Sequence, residues 1–142
     1  MNKKQITLAA AIFLTAINIS SAQFFYPVLE KFTPEKKEEI DKIYSINLES
    51  EHGCIVETAL TIVTMIKLDL PSDELPKIRM TIDNLVTSGE TPVIRYKAYL
   101  ASAVFNSPAL FKKEGLVNYR DSNELFAALS ERLRQTLLIT SN

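Results

Sequence analysis

Three places in this chain set a hydroxyl residue directly before a proline: Thr33-Pro34, Thr91-Pro92 and Ser107-Pro108. A Ser or Thr oxygen at that position accepts a hydrogen bond from a backbone N–H two or three residues on. A proline at the first helical position loses nothing by lacking an N–H. Each step therefore reads as a helix start. Asp121 and Glu124 have the spacing of a capping box, with Asp in place of Ser or Thr. Gly89 and Gly115 fall where helices should stop, and the expectation there is the left-handed backbone that glycine adopts readily. These marks predict six helices, at about 34–48, 51–68, 73–88, 92–105, 108–114 and 122–139. No stretch requires a strand. Val93 to Ala98 alternates as a strand would, but the proline cap before it and the Ala-rich run after it favour helix. The fold class that follows is all-α: a compact bundle or a short α-solenoid of five to six helices.

Periodicity separates outer helices from central ones. The third segment puts Leu75, Ile78, Ile82, Leu85 and Val86 on one face. The last does the same with Leu125, Phe126, Leu129, Leu133 and Leu137. The second carries Ile55, Val56, Ala59, Leu60, Ile62, Val63, Met65 and Ile66 around most of its circumference. The fourth does so with Val93, Ile94, Tyr96, Ala98, Leu100, Ala101, Val104 and Phe105. Those two are expected to be the central pair, with the side chains just named buried. Cys54 opens the more apolar of them and is expected to be buried as a small hydrophobe.

Helix pairs would begin near Pro34, Asp73 and Pro108, and Ile55…Ala59 is echoed by Ile94…Ala98. The run Gly89 to Ala101 (GETPVIRYKAYLA) resembles the second half of a HEAT-type unit, in which a proline-containing turn leads into a helix bearing Arg and Ala. The resemblance covers residues 73–105. It implies a scaffold for interaction rather than a site of chemistry.

The N-terminus carries the marks of export. Lys3 and Lys4 precede an apolar run from Ile6 to Ile19, and Ser20-Ser21-Ala22 supplies the small side chains that a signal peptidase accepts. That run is shorter than the roughly 20 apolar residues of a membrane span. The expected product starts at Gln23 and reaches the bacterial periplasm or the medium, with no later segment apolar enough to span a bilayer. Residues 23–33 form an aromatic arm (Phe24, Phe25, Tyr26), expected to fold back over an edge of the core, and 34–142 a single helical domain.

Composition narrows the function. The whole chain has 16 Lys+Arg against 17 Asp+Glu. Without Lys3 and Lys4 the balance is 14 against 17, a formal charge of −3, which argues against a nucleic-acid partner. Three scattered glycines leave no phosphate-cradling loop. With one His and one Cys in the chain, Glu49, Glu51, His52, Cys54 and Glu57 cannot complete a tetrahedral metal site. A triad could use only His52, and no Gly-x-Ser-x-Gly elbow exists. Glu35, Glu38, Glu39 and Asp41 interleave with Lys36, Lys37 and Lys42, the pattern of a solvated helix face. No catalytic residue, metal or cofactor is assigned.

Arg95, Tyr99, Ser102 and Asn106 fall on the one polar stripe of the fourth helix, the candidate partner-binding face, next to the loops at Gly89 and Gly115. Lys97 interrupts the apolar arc, where it must snorkel, pair with a carboxylate or face a ligand. The expected function is an exported, non-enzymatic protein-interaction domain, inhibitor-like or scaffold-like, whose partner is another exported or envelope protein. The alternative is carriage of a small apolar ligand in a cleft between the central helices, lined by Tyr96, Lys97 and Phe105, with Tyr99 beside them.

Overall fold

The computed structural model describes residues 33–111 and 119–140. Five α-helices and one short 3-10 turn make up the described chain: α1 (Pro34–Leu48), α2 (Gly53–Asp69), α3 (Pro76–Ser88), α4 (Pro92–Asn106), the turn Pro108–Phe111, and α5 (Ser122–Thr140). Among the described residues there is no strand. The expected signal sequence, the aromatic residues of the expected arm and Gly115 lie outside the described residues.

Most caps fall where the sequence places them. Thr33 Oγ1 accepts from Lys36 N at 3.3 Å and Thr91 Oγ1 from Ile94 N at 3.1 Å, each with proline opening the helix. Asp121 Oδ1 accepts from Glu124 N at 2.9 Å. Glu124 reaches back to the N–H of Arg120 at 2.6 Å, one residue earlier than a standard box.

The third start is different. Asp73 does not open α3; Leu75 is its N-cap residue and Pro76 its first turn. Leu75 has no side-chain acceptor, and Asp41 on α1 supplies one from outside. Its Oδ1 accepts from Ile78 N at 2.9 Å and its Oδ2 from Lys77 N at 3.2 Å. Asp73 instead pairs with Lys37. Helix α2 likewise begins at Gly53 rather than 51, and the expected helix at 108–114 is a 3-10 turn as far as Phe111.

Gly89 also departs from expectation. Its backbone is extended, φ −56° and ψ 136°. What it needs is room: a Cβ there would stand 2.8 Å from the Leu85 carbonyl oxygen, 2.9 Å from Ile94 Cγ2 and 3.0 Å from Arg95 Cγ. Close approach of α3 to α4, not a positive φ, explains the glycine.

Packing makes three layers. Helix α1 packs on α2 and α3, α3 on α4, and α2 on α4. Helix α5 and the turn pack on α2 and α4. The central pair is thus α2 and α4, covered on one side by α1 and α3 and on the other by α5. The first two pairs lie side by side as stacked hairpins, but the third does not extend them, because α5 lies over α2 and α4. The result is a compact bundle rather than an extended solenoid. Its core runs through Leu48, Leu60, Val63, Ile66, Ile78, Ile82, Ile94, Leu100, Val104 and Leu125, all nearly inaccessible to water.

Three buried threonines in the helices satisfy their hydroxyls on the preceding turn: Thr61 on Glu57 O, Thr64 on Leu60 O and Thr81 on Lys77 O. The expected burial fails at a few sites. Val93 and Tyr96 on α4 are exposed, because one helix, α5, covers a layer two helices wide; Ile55 on the first turn of α2 and Leu137 toward the end of α5 are exposed as well.

Candidate functional site

The polar stripe of α4 is mostly taken up inside the molecule. Ser102 Oγ donates to Asp83 Oδ1 on α3 at 2.7 Å and accepts from Asn106 Nδ2 at 3.1 Å. Arg79 Nη2, also on α3, donates to Asn106 Oδ1 at 2.5 Å. Arg95 Nη1 donates to the Gly89 carbonyl at 2.6 Å, closing the α3–α4 turn. Three of the four stripe residues therefore tie α4 to α3 and its turn. Tyr99 alone stands out from that seam, exposed to solvent.

Lys97 turns inward. Its side chain is 8% exposed, and Nζ lies 2.6 Å from Glu57 Oε2 on α2. The same ammonium donates to Ser122 Oγ at 3.1 Å and sits 5.5 Å from the centre of the Phe126 ring, both on α5. Thr61 Oγ1 is 2.9 Å from Ser122 Oγ. One lysine on α4 thereby joins α2, α4 and α5, and of the three outcomes open to it the carboxylate pair is realised. Glu57 is spent on this contact. His52 is the exposed N-cap residue of α2 and makes no side-chain capping bond. Among the described residues no group of three or more His, Cys, Asp and Glu comes together to hold a metal ion.

Two hollows open beside α5, with Lys97 on the wall of both. The larger, about 580 Å³, runs between α4 and α5. Its apolar walls are Pro92, Val93, Phe126 and Ala127; Tyr96 and Ser130 bridge it with a 2.7 Å hydroxyl–hydroxyl hydrogen bond. The smaller, about 330 Å³, lies toward α2 and includes Cys54, Glu57 and Ser122. Cys54 is exposed there, on the first turn of α2, not buried as the apolarity of that helix suggests. The expected cleft trio is split: Tyr96 and Lys97 share the α4–α5 groove, whereas Phe105 lies on a separate hollow with Lys67 and Leu75.

Lys67 is a second buried lysine that serves structure. It donates to the carbonyls of Pro71 at 2.9 Å and Asp73 at 2.8 Å and lies 5.6 Å from the Phe105 ring centre. Burial holds its ammonium below the ordinary lysine value, against the opposite pull of Glu74 and Asp73. On α5, Glu131 accepts from Arg134 and Gln135, and these hydrogen bonds pull its carboxyl down to about 2.

The residues that line the groove from α5, namely Phe126, Ala127 and Ser130, escape a reading of single helices. A hint lay in α4: Val93 and Tyr96 widen its apolar arc beyond what its neighbours cover. Set against known proteins, the chain matches no protein family model, no curated protein sequence and no solved structure.

Proposed function

We propose that this protein is an exported, non-enzymatic protein-interaction domain, and that a partner protein of the same compartment docks on the α4–α5 groove. The observation that carries the reading is the exposed pair Val93 and Tyr96, 52% and 51% accessible, on the wall of an apolar groove of about 580 Å³. Large apolar and tyrosine side chains left open along a helix are what interface centres favour. The stripe of Arg95, Ser102 and Asn106 is a poorer candidate because its hydrogen bonds are already made within the chain. Export rests on the Lys3-Lys4, Ile6–Ile19 and Ala22 pattern. No helix among the described residues is long and apolar enough to cross a membrane.

The test is affinity capture from a native exported fraction with tagged protein starting at Gln23, beside a Val93→Asp/Tyr96→Ala variant of unchanged helicity. Loss of one stoichiometric partner in the variant supports the reading; equal capture by both ends it. A small apolar ligand is the second reading, favoured by the groove's volume, which lies in the range of small-molecule sites. It predicts a blue-shifted signal from an environment-sensitive dye, abolished by Tyr96→Ala.

A further inference from the structure

Among the described residues, three buried side chains carry charge: Asp41, Lys67 and Lys97. Two of them are matched. Asp41 accepts two backbone N–H groups, and Lys97 pairs with Glu57. Lys67, 7% exposed, is not. Among the described residues no carboxylate pairs with it. Its donors go to the neutral carbonyls of Pro71 and Asp73, and the Asp73 carboxylate is held by Lys37. A buried ammonium without a counterion is costly. The two carbonyls also take only two of its three N–H donors.

Lys67 stands on the wall of a hollow of about 380 Å³ between the α2–α3 connection, α3 and α4. Leu75, Pro76, Met80 and Phe105 give that hollow apolar walls, and the centre of the Phe105 ring is 5.6 Å from Lys67 Nζ. Its volume lies in the range of small-molecule sites. The other charged residues that line it, Glu74, Arg79 and Asp83, are exposed, so water screens them. Arg79 and Asp83 are also engaged across the α3–α4 seam, with Asn106 and Ser102. Glu74 acts on Lys67 through space, but burial outweighs it and keeps the ammonium below its ordinary value. The one charge on the wall that water does not screen is therefore a cation. An anion beside it offsets the cost of its burial. A single negative charge fits better than a dianion such as phosphate, which the exposed Glu74 and Asp83 repel.

We propose that this hollow binds a small monocarboxylate with an apolar body, its carboxylate on Lys67 Nζ and its chain against Leu75, Met80 and Phe105. The site stands apart from the α4–α5 groove, so its failure leaves the docking reading untouched.

Calorimetric titration of the chain from Gln23 with hexanoate tests this, with the NMR signal of the Lys67 ε-methylene as a local reporter. Hexan-1-ol and hexan-1-amine are the comparison probes. Hexanoate is expected to bind saturably and to move the Lys67 signal. Hexan-1-ol, which lacks the charge, should bind at least about tenfold more weakly, and Lys67→Met should weaken hexanoate by a similar factor. Because Lys67 also closes the α2–α3 connection, two variants at the exposed Met80 give a readout that leaves the fold alone. Met80→Glu should weaken hexanoate binding about two- to fivefold and Met80→Lys should tighten it by a similar factor, with circular dichroism unchanged. Three results overturn the proposal: hexanoate that does not bind or does not move the Lys67 signal, alcohol or amine that binds as tightly, or Met80 variants that change nothing.

Discussion

Lys97 shows how a single side chain decides the character of the site. A lysine 8% exposed, 2.6 Å from a carboxylate that water still reaches, makes an unequal pair. Removing the carboxylate strands a buried ammonium, so Glu57→Ala is expected to destabilise the fold by about 1–3 kcal/mol, less than a fully buried pair because Glu57 is partly open. Lys97→Met replaces the buried charge with an apolar chain of similar length and should change stability by less than about 1 kcal/mol. Urea unfolding of the two variants checks this; equal losses would contradict it. Gly89 makes a second test. Gly89→Ala pushes a methyl against the Leu85 carbonyl and Ile94, and the expected loss is about 1–3 kcal/mol. A stabilised Ala variant, the outcome for a merely flexible turn, would refute close packing as its role.

Lys67 gives a pH dependence with a definite sign. Its proton is held less tightly in the folded chain than in the unfolded one, because burial lowers its folded value below 10.5. Between that lowered value and 10.5 the unfolded state binds more protons, so this residue makes stability rise with pH across that window. The neutral amine still has donors for the Pro71 and Asp73 carbonyls. Unfolding free energies of wild type and Lys67→Met should therefore diverge in favour of the wild type on the alkaline side, where a constant difference would contradict the assignment.

At the scale of elements, α3 depends on α1 for its first turn. Pro76 follows a leucine that cannot cap, and Asp41, 37 positions before Ile78, accepts from both Lys77 and Ile78. Asp41→Ala is expected to cost about 1–2 kcal/mol and to raise hydrogen exchange at the start of α3, with α5 unaffected. This explains what the sequence made legible. Thr33, Thr91 and Asp121 cap from positions adjacent to their own helices, so local spacing reveals them. Asp41 acts across the chain, and nothing local distinguishes it from Glu38 or Glu39 on the same charged helix. Asp73, expected near the start of the third helix, lies before it and is bound to Lys37.

At the scale of the molecule, the identity of the central pair was readable because α2 and α4 are apolar almost all round. Which part of that apolar surface stays open was not, because it depends on where α5 lands and how much of the layer one helix covers. Val93 and Tyr96 look like core residues in one dimension and become groove walls in three. The polar stripe of Arg95, Ser102 and Asn106 reads as a free face until α3 is placed beside it. Only Tyr96 and Lys97 among the expected cleft residues keep their company, and Phe105 faces the other side of the layer stack with Lys67.

The proposed docking surface is the α4–α5 groove and not the α4 polar stripe. Quantitative capture from the exported fraction with three baits compares them directly: wild type, Val93→Asp/Tyr96→Ala, and Arg95→Ala/Asn106→Ala, each shown to be folded. The groove variant is expected to lose the stoichiometric partner while the stripe variant keeps it. Loss with the stripe variant and retention with the groove variant would contradict it.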